Sequence, residues 1–124
     1  MTGGVTGDVT GDVTDGRPGV GDSAAPLADI VVVELGHSVA APYAGQILGD
    51  LGAEVIKVEK PEGDDARRWG PPFVDGAAAT FQALNRNKRS VVCELRDAGQ
   101  RERLIRLIVE RADVVLQNLR PGQA

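Results

Sequence analysis

One cysteine and one histidine occur in 124 residues, and each scarcity excludes something. A lone thiol, Cys93, closes no internal disulfide, and nothing here builds a cysteine metal cluster; no metal is expected. That usage suits a reducing compartment, so a cytoplasmic protein is the expectation. No apolar run approaches the roughly 20 residues that a membrane span requires, and the first residues lack the basic and apolar regions of a secretory signal. Basic charge is also short: 14 Lys and Arg stand against 18 Asp and Glu, for a net charge of −4. Neither nucleic acid nor a membrane is expected as a partner.

The length permits one domain, large enough for a core but near the low end for a doubly wound sheet. Residues 1–26 differ in kind from the rest. They hold seven of the 16 glycines and a tandem Val-Thr-Gly-Asp at Val5–Asp8 and Val9–Asp12, echoed at Val13–Gly16. Such a segment reads as a disordered, Gly/Asp-rich tail. It also carries one Arg and four Asp, which leaves residues 27–124 near −1.

The stretch 30–60 organises the remainder of the chain. Ile30 to Leu35 is short, almost wholly apolar and β-branched, the pattern of a strand buried on both faces of a parallel sheet. Pro42 suits the opening turn of a helix, Tyr43, Ala44, Ile47, Leu48 and Leu51 recur at helical spacing, and Gly52 supplies a stop. Val55 to Val58 is a second strand. Between strand and helix lies the turn Gly36–Ala41, whose free backbone N–H groups are expected to receive an anion.

Pro61 to Asp65 and the double proline 71–72 read as loop, Ala77–Leu84 as a short helix, and Ser90–Leu95 as a third strand. Asp97 with Gln100 reads as a reciprocal cap opening a helix to about Arg111, which buries Leu104, Leu107 and Ile108. Val114–Leu116 is a fourth strand. The fold expected is α/β: a Rossmann-like parallel sheet with helices on both faces, incomplete, as the N-terminal part of a larger domain. Ligands of open α/β sheets lie across the carboxyl ends of the strands. Lys60, Arg96 and Arg120 fall at three of those ends, which suggests a polyanionic nucleotide or coenzyme.

The succession Val33–Gly36, Ala41–Gly45, Leu51–Glu59, Arg68–Phe73, Asn85–Ser90 and Asn118–Gly122 resembles the N-terminal part of the class III coenzyme A transferases, the formyl-CoA and carnitine CoA-transferase family. The resemblance covers residues 27–124. It implies the N-terminal portion of a coenzyme A-binding domain, in an enzyme that moves coenzyme A between an acyl-CoA and a free carboxylic acid and forms an interlocked homodimer. The coenzyme A contacts it implies are Val39 and Ala40 after the first strand, Lys60 after the second, Cys93, Glu94, Leu95 and Arg96 at the third, and Asn118, Leu119 and Arg120 after the fourth. Some members carry Gln in place of Val39, and many carry Arg in place of Lys60, so here an amide is absent and a bidentate fork becomes a point charge. The family's nucleophilic aspartate, which forms a mixed anhydride and then a covalent thioester, is placed beyond residue 124. Asp97 and Asp113 read as a helix cap and a turn residue, so this chain supplies no catalytic residue. An α-methylacyl-CoA racemase-like fragment and a non-catalytic coenzyme A or nucleotide-binding module stand as alternatives.

Other residues invite a sharper role. His37 sits in the ligand turn, but no carboxylate partner is implied for it nearby in sequence, so loop hydrogen bonding is expected rather than general-base catalysis. Glu59 stands where dinucleotide folds place a ribose-binding acid, yet the turn lacks G-x-G-x-x-G and argues against NAD. Cys93 is expected in the core. Trp69 and Phe73 either anchor their loop or stack on an adenine, and Asn87-Lys88-Arg89 either binds phosphate or caps a strand.

Overall fold

A computed structural model describes residues 25–123. The expected tail, with its Val-Thr-Gly-Asp repeats, lies outside the described residues except for its last two positions. Strand β1 (Val31–Glu34) leads through helix α1 (Ala40–Asp50) to β2 (Glu54–Glu59). A 3₁₀ turn at Asp65–Arg68 precedes a small hairpin of β3 (Phe73–Val74) and β4 (Ala77–Ala78), and α2 (Ala79–Leu84) comes next. Strand β5 (Lys88–Val92), α3 (Ala98–Arg111) and β6 (Val114–Leu116) complete the order.

The four long strands form one parallel sheet in the order β5-β2-β1-β6. The chain steps outward from β1 to β2 to β5, then returns to the far side of β1 for β6. That reversal is the arrangement of a doubly wound sheet, with its crevice at the carboxyl ends of β1 and β6. Registers pair Val32 with Val55 and Val114, so side chains alternate between two faces. One face packs Val33, Val58 and Cys93 under Leu104, Leu107 and Ile108 of α3. The other packs Val32, Ala53 and Val55 under Leu48 of α1, with Leu27, Ile30 and Leu116 around them. Helices therefore cover both faces, as the apolar periodicities require.

Helix α1 shows how local chemistry sets the elements. Its first intrahelical bond runs from Tyr43 N to Val39 O, so the missing N–H of Pro42 is one that the first turn leaves unpaired anyway. At the other end Gly52 takes φ +104°, with Gly52 N bonded to Gly49 O and Ala53 N to Leu48 O. This double closure ends the helix and turns the chain into β2.

Three local expectations are corrected. The helix expected over Ala77–Leu84 begins at Ala79, because Ala77 and Ala78 pair with Val74 and Phe73 around Asp75-Gly76, both at positive φ. Asp-Gly is a strong signal for such a turn, and here it prevails over the helical propensity of three alanines. The third strand runs Lys88–Val92 rather than Ser90–Leu95, since its partner register carries it back to Val55. Asp97 does cap α3 through Gln100 N, but Gln100 Oε1 accepts from Glu94 N instead of returning to Asp97.

Gly45 marks the tightest contact between α1 and the sheet: an added Cβ would lie 2.0 Å from Glu34 Oε1. Gly49, one turn on, has room, with its nearest atoms at 3.4 Å or beyond. In an exposed helix either change to Ala would stabilise by about 1 kcal/mol. Gly45→Ala is expected to destabilise by about 1–3 kcal/mol, whereas Gly49→Ala stabilises; urea unfolding of both variants measures the opposite signs.

Candidate functional site at the carboxyl ends of the strands

Alternation puts Val32 and Glu34 of β1, Val55, Lys57 and Glu59 of β2, and Lys88 and Ser90 of β5 on the face beneath α1. That face is therefore charged toward its carboxyl end, with Lys88 added from the amino end of β5, and the charges are buried: Glu34, Lys57, Glu59, Asp64 and Lys88 are all 5% exposed or less. Buried charges persist only when paired and hydrogen-bonded. Lys57 Nζ donates to Glu34 Oε2 at 3.0 Å and to Gly36 O at 3.1 Å, and it forms an ion pair with Asp64 Oδ2 at 3.0 Å. Lys88 Nζ donates to Pro42 O and Asn85 Oδ1 and sits 2.8 Å from Glu34 Oε1. Burial pulls the Lys88 ammonium down to about 8, against the attraction of Glu34. Glu59 accepts from Asp64 N, from the Arg67 guanidinium through both oxygens, and from Ser90 Oγ. Three carboxylates thus face three cations.

This network borders a cavity of about 420 Å³ at the strand ends. Leu35, Val58, Cys93, Leu95 and Leu119 give it apolar walls, and Gly36 and His37 line it from the turn after β1. Lys60, Arg96, Glu62, Asp65 and Glu94 supply charge. Of the residues that the resemblance implied, Lys60, Cys93, Glu94, Leu95, Arg96 and Leu119 line this one cavity. Val39, Ala40, Asn118 and Arg120 do not. Val39 and Ala40 are exposed at the start of α1, and Asn118 is committed to the backbone of His37, accepting from His37 N and donating to His37 O.

At His37 and Ser38 the turn departs from the expectation of free amides. The N–H of His37 is taken by Asn118 Oδ1, and that of Ser38 by both oxygens of Asp64 at 3.1 and 3.3 Å. Neither amide is free for an anion, because side chains from other segments already satisfy them. Nor are the cations bare: Lys60 pairs with Asp65 at 2.9 Å and Arg96 with Glu94 at 3.2 Å. Hydrogen bonding to Lys60 and to Arg96 holds Asp65 and Glu94, respectively, below the usual carboxylate range.

The sharper roles also resolve. Glu59 lines the cavity, and its carboxylate accepts from Asp64 N, Arg67 and Ser90. Burial, then Glu94 and Asp97, push the Cys93 thiol up, away from thiolate chemistry. His37 Nδ1 meets Ser38 Oγ at 3.1 Å, a loop contact. Asn87 and Lys88 lie at the amino end of β5, where Asn87 donates to Asp50 and Lys88 enters the buried network, far from the strand ends where a phosphate was expected. Phe73 packs its ring against Gly70, and neither it nor Trp69 lines the cavity. Sequence reasoning passed over Lys57, Glu34 and Asp64; the signal was a Lys and a Glu at matching alternation in otherwise apolar strands.

The family model described as CoA-transferase family III matches residues 27–124. The chain belongs to that family. It is 50% identical over 102 residues to succinate–glutarate CoA-transferase of Agrobacterium fabrum, covering 77% of this chain and 25% of that protein. Against succinyl-CoA:glutarate CoA-transferase of Mus musculus it is 43% identical, covering 82% and 23%. Among solved structures, a CAIB/BAIF family protein from Brucella suis superposes with a TM-score of 0.75 at 53% identity, over 79% of this chain and 27% of that one. This family III chain thus spans about a quarter of the length of the relatives it matches.

The acid-side pH dependence of the network stems from Glu59. Burial pushes its pKa up, but Arg67, Ser90 and the Asp64 N–H together bring it from the ordinary 4.5 down to about 2. A depressed acid stabilises the fold fully above about pH 4.5 and loses that contribution as pH falls toward 2. Glu59→Gln is therefore expected to lower Tm by about 5–10 °C at pH 7, with the gap closing at acid pH; circular dichroism melts from pH 7 to 2 measure it.

Proposed function

We propose that this chain is the coenzyme A-binding N-terminal part of a transferase that moves coenzyme A between an acyl-CoA and a free carboxylic acid. The observation that carries this reading is the cavity at the reversal point of the sheet, in a chain of family III, with Lys60 and Arg96 on one rim and apolar side chains behind them. An adenine and a pantetheine chain need apolar walls, and the phosphates of coenzyme A need cations at the mouth. Residues 27–124 form the portion of that domain contained here, and no residue of it is assigned the nucleophilic role. The names of the relatives, which pair succinyl-CoA or succinate with glutarate, support a short dicarboxylate as the acyl group.

Both cations are already paired, and the pairs are exposed: Arg96 is 86% accessible, and Lys60 and Asp65 are each about half accessible. Solvent-exposed ion pairs are weak. A phosphate carries more charge and more acceptor oxygens than a carboxylate, so it displaces Asp65 and Glu94 as coenzyme A enters.

Titration calorimetry of the 124-residue chain with coenzyme A tests this. Saturable binding is expected, weakened about threefold to tenfold by Lys60→Ala and by Arg96→Ala and tightened by Asp65→Asn. Unchanged affinity in both cation variants removes the assignment of the strand ends.

A further inference from the structure

Among the described residues, the turn at 36–38 finds no backbone hydrogen-bond partner. Gly36 O, His37 N, His37 O and Ser38 N are each satisfied by a side chain: Lys57, Asn118, Asn118 and Asp64. Its shape is imposed from outside, by residues of β2, of the loop after β2 and of the segment after β6. Ser38 also takes φ +67°, a left-handed conformation that side chains other than Gly rarely adopt without support. The Asn118 arm is exposed at the surface, whereas the Asp64 arm is buried, with Asp64 only 3% accessible. Asp64 is itself held on every side: its carboxylate accepts from Ala66 N and meets Lys57 Nζ, and its own N–H donates to Glu59.

We propose that Asp64, backed by Lys57, is a positioning residue that fixes the 36–38 turn, and with it the Gly36–His37 wall of the cavity. In a phosphate-binding turn of a dinucleotide fold, backbone amides face the ligand's anion. Here a protein carboxylate takes the Ser38 amide, so the turn is set before any ligand arrives and the ligand's phosphates are directed to the Lys60 and Arg96 rim. The positioning rests on the hydrogen bonds of the turn; its effect on affinity rests on the coenzyme A reading above.

Two measurements on the 124-residue chain test it. The first is amide hydrogen exchange of Ser38 by NMR, taken relative to the Val33 amide, which reports global opening. Asp64→Ala is expected to speed Ser38 exchange about tenfold on that relative scale. Asp64→Asn, which keeps an acceptor oxygen but not the charge facing Lys57, speeds it by a smaller factor and serves if the alanine variant does not fold. Unchanged relative exchange in the variant that folds overturns the proposal. The second is coenzyme A affinity, expected to fall about tenfold in Asp64→Ala. Adding Ser38→Gly to that variant, which removes the strain without restoring the acceptor, recovers most of the affinity while leaving Tm low. A general loss of packing predicts no such recovery, and an unchanged affinity with an unprotected Ser38 also overturns the role. Should the unaltered chain take up no coenzyme A, the functional reading fails, and the exchange measurement still decides the positioning.

Discussion

A lysine in the middle of a buried strand constrains most of this structure. Lys57 is 1% accessible, and an unpaired ammonium at that depth would cost several kcal/mol. It is tolerated because two carboxylates and a backbone carbonyl from three segments converge on it. Glu34 comes from the neighbouring strand, Gly36 O from the turn beyond that strand, and Asp64 from the loop beyond β2 itself. Each acceptor carries a further demand. Glu34 draws Lys88 from β5 and admits no side chain at Gly45, which sets how closely α1 lies on the sheet. Asp64 caps the 3₁₀ turn through Ala66 N and grips Ser38.

Such a network adds less stability than an apolar core of equal volume would, since desolvation offsets most of the attraction. What it supplies is geometry. Apolar side chains on the α3 face of the sheet accept many nearly equivalent packings, while an ion pair with all its donors matched accepts few. Except for Lys88, which enters from the amino end of β5, the charges of the α1 face lie at the carboxyl ends of the strands, beside the cavity. Fixed geometry and ligand-sized space therefore occur at the same end of the sheet. The rim contrasts with the interior: Lys60 with Asp65 and Arg96 with Glu94 are exposed pairs that open readily.

Much of this was legible in the residues. Apolar runs of β-branched side chains separated by helical periodicities dictated parallel strands with helices on both faces, because only that layering buries strands apolar on each side. Pro42, Gly52 and Asp97 placed the helix ends through backbone chemistry that depends on nearest neighbours alone. The ordered motifs from Val33 to Gly122 identified the family, and the resemblance pointed to ten residues, of which the fold brings Lys60, Cys93 to Arg96 and Leu119 to one cavity.

Other features depended on distance in space rather than in sequence. Whether the amides of a strand-to-helix turn are free depends on what lies across from them; Asn118, 81 residues away, and Asp64, 26 residues away, had already taken His37 and Ser38. Likewise Lys88 reads as a phosphate ligand or a strand cap until the fold brings its ammonium beside Glu34. Sequence by itself determined the layering, the helix ends and the family, since those rest on local periodicity, capping and composition. Tertiary structure alone decided which charges are buried, which amides are occupied and which strand-end residues share a wall, because each is a property of pairs that only the folded chain brings together.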